Sequence, residues 1–85
     1  MTIRLKLFAS IREQTGVDEE ALALPAEVQT LGQLRDHLRG RGPNWAESLD
    51  PARAVRGAVN QRMADDQESI KDGDEIAFFP PVTGG

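Results

Sequence analysis

Few residues in this chain could do chemistry on their own. His37 is the single imidazole and there is no cysteine, so thiolate nucleophiles, thiolate metal sites and disulfides are excluded. On a helical wheel His37 falls roughly a quarter turn from a leucine stripe, the place of a solvated surface residue. No strained nucleophile-elbow sequence accompanies it, and no partner stands at metal-ligand spacing. The acidic groups "DEE", "DD" and "DGDE" lack the spacing of a calcium loop, and solvated turns account for them. Gly40 and Gly42 follow a helical segment and precede Pro43, which is punctuation rather than a phosphate cradle.

What remains is the terminus, "FFPPVTGG", Phe78 to Gly85. Pro80 and Pro81 have no backbone N–H to donate, so a ladder ends there. Each proline also holds the residue before it extended, which fixes the direction in which the chain leaves a sheet. Val82 and Thr83 continue the segment, and Gly84-Gly85 end it without a Cβ, thin enough to pass through a tunnel that any side chain would block. A bare Gly-Gly end is compatible with simple fraying; the stiff Pro-Pro stem shifts the reading towards a projecting arm, residues 80–85, on a domain of residues 1–79. Its terminal carboxylate, with an ordinary pKa of about 3.5, is ionised and resists nucleophiles. Activation as an acyl-adenylate makes it open to attack by sulfur or amine. Nothing in the chain performs that activation, so the domain reads as a carrier or tag worked on by partners.

The elements that must hold this arm follow from periodicity. "TIRLKLFA" alternates strictly, with Ile3, Leu5 and Leu7 on one face and Arg4, Lys6 and Phe8 on the other, which is a half-buried strand. "SIREQTG" predicts a short helical turn from Ser10 to Thr15, with Ser10 and Glu13 as a capping box and Gly16 as its stop. "DEEALALP" is a weaker strand with Leu22 and Leu24 on one face, ended by Pro25. The main helix lies in "TLGQLRDHLRGRG": Thr30 and Gln33 form a capping box, Leu31, Leu34 and Leu38 the apolar stripe, and Arg39 and Arg41 suit its C-terminal end. "NWAESLD" predicts a further turn capped by Asn44, burying Trp45 and Leu49. "AVRGAVN" is a strand with Val55 and Val59 inward. Ile70 anchors a polar stretch, Asp72-Gly73 turns the chain, and "EIAFF" closes the sheet with Ile76 and Phe78 inward, Ala77 and Phe79 outward. The order β, β, α, β, β predicts an α+β domain, a mixed sheet packed on one main helix with short extra helical turns.

At 85 residues and 39% hydrophobic content the chain makes one small domain, held by packing alone. A net charge of −4 argues against nucleic-acid backbone binding, and no apolar run approaches a membrane span of about 20 residues. The alternating N-terminus lacks the apolar region of a signal peptide, so a cytoplasmic protein with neither nucleic-acid nor membrane partner is expected. If the first and last strands are neighbours, Phe8 and Phe79 form an exposed apolar patch beside the arm, a partner surface unless a crossover covers them.

"DGDEIAFFPPVTGG", the "AVNQ" before it and the opening "IRLKLFASIRE" together resemble the small subunit of molybdopterin synthase, a ubiquitin-like sulfur carrier family. The likeness spans nearly the whole chain and is most specific in the tail. "HLRGRGPNWAESLDPARAVRG" is less distinctive. The resemblance implies a β-grasp fold and a Gly85 carboxylate adenylated by an E1-like enzyme that uses ATP. It implies conversion of Gly85 to a thiocarboxylate by a sulfurtransferase or other sulfur donor. The arm, Phe78, Phe79, Pro80, Pro81, Val82, Thr83 and Gly84, then inserts into the synthase large subunit within a heterotetramer. There the sulfur builds the dithiolene of molybdopterin from cyclic pyranopterin monophosphate, for molybdenum cofactor biosynthesis. By position Phe8, Met63 and Phe79 match the family's partner-binding surface. No cofactor or metal is expected on this chain, and the partner is expected to supply most catalytic residues. Net acidity favours basic partners. A carrier for thiazole or tRNA thiolation, a protein modifier and a plain interaction module are the alternatives.

Overall fold

A computed structural model of the chain describes residues 1–81; Val82, Thr83, Gly84 and Gly85 lie outside the described residues. The chain runs β1 (Thr2–Leu7), α1 (Ala9–Thr15), β2 (Glu19–Ala23), α2 (Leu31–Arg39), α3 (Pro43–Ser48), β3 (Arg56–Val59), β4 (Arg62–Ala64) and β5 (Glu75–Phe79). The strands form one mixed sheet in the order β2-β1-β5-β3-β4. β1 pairs antiparallel with β2 and parallel with β5, and β3 pairs antiparallel with both β5 and β4. The last strand therefore lies at the centre, flanked by the first. This is the β-grasp arrangement, an α+β sheet that curls over its helices on one face.

Period-two patterning decides which face is buried. Ile3, Leu5 and Leu7 of β1, Val59 of β3 and Ile76 and Phe78 of β5 enter the core, where Leu31, Leu34 and Leu38 of α2 meet them with Ile11, Trp45 and Leu49. α2 starts where its sequence says it should. The Thr30 hydroxyl accepts from the Gln33 N–H at 3.2 Å, and the Gln33 side-chain oxygen accepts from the Thr30 N–H at 3.1 Å. Two further orphan N–H groups are met from outside the helix. Leu31 N–H donates to the Glu68 carbonyl and Gly32 N–H to the Asp66 carbonyl, both at 2.9 Å, so the polar stretch after β4 serves as a lid on the helix end.

Other expectations at the caps fail. Ser10 lies inside α1; Phe8 is the N-cap residue, and no side chain caps that end. Gly16 does stop the helix in the left-handed conformation at φ +75°. Asn44 is likewise internal, since Pro43 takes the first helical position of α3 behind Gly42. The fixed φ of proline starts a helix as readily as it ends one, and here it starts α3. Arg41 falls beyond α2; it pairs with the Glu20 carboxylate at 2.6 Å and stacks 4.6 Å from the centre of the Trp45 ring. That hydrogen bond to Glu20 raises the Arg41 pKa above its ordinary value.

The strand count is also corrected. Where periodicity suggested four strands, Arg62–Ala64 forms another that pairs Met63 with Ala58. Periodicity does not mark this strand, because it is only three residues long and has no apolar alternation. The local signal was "NQ": Asn60 and Gln61 both take positive φ, +51° and +69°, the geometry of a two-residue hairpin turn.

Candidate docking face and C-terminal site

The acidic clusters prove structural. Glu19 and Glu20 pair with Arg4 and Arg41, and Asp66 with Arg35. The hydrogen bond from Arg4 holds the exposed Glu19 carboxyl below the usual range. Asp72 accepts from the Thr2 N–H at 2.7 Å. Asp74, almost fully buried, accepts from the Lys71 N–H at 2.7 Å and from the Asn60 amide at 3.0 Å. Asn60 answers by accepting from the Glu75 N–H at 3.0 Å, so one side chain joins the β3–β4 turn to the start of β5. His37 is exposed on α2, and no group of acidic or histidine side chains among the described residues is arranged to hold a metal ion.

Strand parity places the aromatics on the face that the helices leave uncovered. Leu7 stands opposite Phe78 in the β1–β5 ladder, so the next residues in register, Phe8 and Phe79, are neighbours on the outer face. The backbone confirms the proximity: the Phe8 N–H donates to the Phe78 carbonyl at 3.3 Å. Phe8 keeps extended geometry, and Ala9 then turns abruptly at φ +51°, which leaves the Phe8 ring at the rim of the sheet. Phe8 is 45% exposed and Phe79 half-buried. Met63 belongs to the same face, because Met63, Ala58 and Ala77 stand opposite one another across β4, β3 and β5. Met63 is 58% exposed, the most open large apolar side chain among the described residues. The small residues Ala58 and Ala77 between the large ones make a shallow apolar field.

The same face carries charge at its margins. Arg4 pairs with Glu19, and Lys6 with Glu75 at 3.3 Å. Arg56 stands directly opposite Phe79 in the β3–β5 ladder. It also lines an open groove of about 570 Å³ that runs from Met63 and Gly57 towards Arg35 and Asp66. Arg35 donates to the Val55 carbonyl at 3.3 Å and lies 3.5 Å from the Asp66 carboxylate.

β5 delivers the tail. Phe78 is 0% exposed, and Phe79 is the last residue of the strand. Pro80 is half-buried, Pro81 is exposed, and neither belongs to a strand. The chain thus leaves the sheet beside the apolar field formed by Phe8, Phe79 and Met63. The expectations for Val82, Thr83, Gly84 and Gly85 lie outside the described residues.

A family model described as the ThiS family matches residues 5–85. Over 83 residues the chain is 41% identical to the molybdopterin synthase sulfur carrier subunit of Haemophilus influenzae and 40% identical to that of Escherichia coli strain K12. Each alignment covers 98% of this chain and 99% of the relative. The crystal structure of SAMP1 from Haloferax volcanii is similar along 100% of both chains, with a TM-score of 0.81 and 29% identity.

Proposed function

The chain belongs to the ThiS family, and from that premise we propose that it is the sulfur carrier subunit of a molybdopterin synthase. The observation that carries this reading is end-to-end identity of about 40% to relatives that bear that name. The geometry supports it: the tail leaves the central strand beside an apolar face formed by Phe8, Phe79 and Met63.

In this reading the Gly85 carboxylate attacks the α-phosphate of ATP on an E1-like enzyme and pyrophosphate leaves. A sulfide-level sulfur nucleophile then attacks the acyl carbonyl; the C–S bond forms as the C–O bond to AMP breaks, and loss of the S–H proton leaves a thiocarboxylate. The domain docks through Phe8, Phe79 and Met63 on the large subunit, and Pro80 and Pro81 aim the remaining residues into its active site. Gly84 and Gly85 form a tip that side chains do not obstruct. The thiocarboxylate sulfur attacks cyclic pyranopterin monophosphate to give a thioester-linked intermediate. Water cleaves the acyl–sulfur bond and returns the Gly85 carboxylate, and a second charged carrier supplies the other dithiolene sulfur; the large subunit supplies the acid–base groups.

The test is reconstitution. Incubation with a cognate E1-like enzyme, ATP and a sulfur donor replaces one oxygen by sulfur at Gly85, read by intact-mass spectrometry. Addition of the large subunit and cyclic pyranopterin monophosphate then yields molybdopterin. A complete cognate set that leaves the mass unchanged refutes the proposal. Likeness to SAMP1, a small archaeal modifier protein, favours a second reading in which Gly85 is joined to lysines of other proteins. Isopeptide-linked adducts in lysate that vanish on deletion of Gly85 would establish it.

A further inference from the structure

The outer face of the sheet carries three cations by strand parity: Arg4, Lys6 and Arg56. Two are paired with carboxylates of neighbouring strands, Arg4 with Glu19 and Lys6 with Glu75. Arg56 makes neither an ion pair nor a side-chain hydrogen bond among the described residues. It is exposed, stands opposite Phe79 and shares its groove with Met63. A partner that covers Phe79 and Met63 therefore also covers Arg56. A guanidinium stripped of water beside apolar surface is costly unless an anion meets it, and its planar fork matches a carboxylate.

We infer that Arg56 is a specificity residue of the docking face, and that the protein partner presents an Asp or Glu carboxylate beside the apolar surface that receives Phe79 and Met63. The inference rests on the proposed function, which supplies the large subunit as that partner. Its sign opposes the one suggested by the net charge of −4, which is a property of the whole chain. At the contact itself the local charge governs register and rejects surfaces that place a cation there.

The experiment measures binding of the full chain to the cognate large subunit at low and at physiological salt. Arg56→Glu is compared with Lys71→Glu, which changes the net charge equally at an exposed site in the approach to the opposite end of β5. Arg56→Glu is expected to weaken binding about tenfold more than Lys71→Glu, with the gap narrowing as salt rises. Arg56→Gln, close in length and neutral, falls between wild type and Arg56→Glu and guards against a folding artefact. Equal affinities for Arg56→Glu and Lys71→Glu, with Phe79→Asp still impaired, overturn the inference and leave the proposed function standing. Failure of the unmodified chain to bind the large subunit overturns both.

Discussion

Phe78 and Phe79 are identical side chains one residue apart, yet the sheet assigns them opposite work, and truncation separates the two roles. Phe78 is 0% exposed and packs against the α2 leucines. Phe78→Ala removes its transfer energy and leaves a cavity, a loss of about 3–5 kcal/mol. A domain of 85 residues has about 4–13 kcal/mol in all, so this variant sits near the limit of folding. Phe79 is half-buried on the outer face, and Phe79→Ala forfeits about 1 kcal/mol, half the value of a full burial. Urea unfolding followed by fluorescence of Trp45, the single tryptophan and 9% exposed, reads both. At a slope of about 1 kcal/mol per molar urea, the midpoint falls by about 3–5 M for Phe78→Ala and about 1 M for Phe79→Ala. Under the proposed function the order reverses for binding to the large subunit: Phe79→Asp is expected to lose affinity while the domain remains folded. Equal midpoint losses for the two alanine variants, or unfolding of Phe79→Asp, refute the assignment of faces.

Three further outcomes follow from the packing. Thr30→Ala removes the hydroxyl that caps α2 and lowers stability by about 1 kcal/mol, checked by the same urea titration. Gly57→Ala places a Cβ 2.7 Å from a methyl of Leu31, and the overpacking costs about 1–3 kcal/mol, lowering Tm by several degrees or more in a thermal scan. The Glu19 carboxyl, held below its ordinary pKa by Arg4, contributes stability above the ordinary glutamate range and loses it as pH falls through the depressed value. Arg4→Gln should therefore flatten the acid limb of the stability–pH curve slightly, and added salt should mute the difference, because Glu19 is exposed.

The parts of the fold legible in the sequence were those where one physical rule acts alone. Strict alternation placed Ile3, Leu5 and Leu7 inward and Phe8 outward, and the same parity separated Phe78 from Phe79. Thr30 and Gln33 marked the start of α2 because both halves of the box are local. Where two rules compete, sequence reading fails. Ser10 with Glu13 also satisfies the capping-box pattern, but the tight exit from β1 starts α1 before Ser10 is reached. Pro43 is both a helix stop and a helix start. β4 has no pattern of its own; the Asn60–Gln61 turn and the ladder to β3 create it, and that pairing puts Met63 on the face of Phe79, where periodicity is silent and the family resemblance alone had placed it. The position of Arg56 opposite Phe79 is likewise a property of register, invisible along the chain.

The central place of β5 has a mechanical consequence. Its C-terminal end carries the tail, and β1, parallel to it, begins at the N-terminus. Tension applied between the two ends pulls these strands along their lengths in opposite directions. The ladder is then loaded in shear, so that its hydrogen bonds share the force instead of opening one at a time. β3 grips β5 from the other side and adds a second ladder to the same load. A partner that draws the tail inward, or an unfoldase that seizes it, therefore works against the strongest grain of the sheet, and resistance to such pulling is set by an unfolding rate rather than by equilibrium stability.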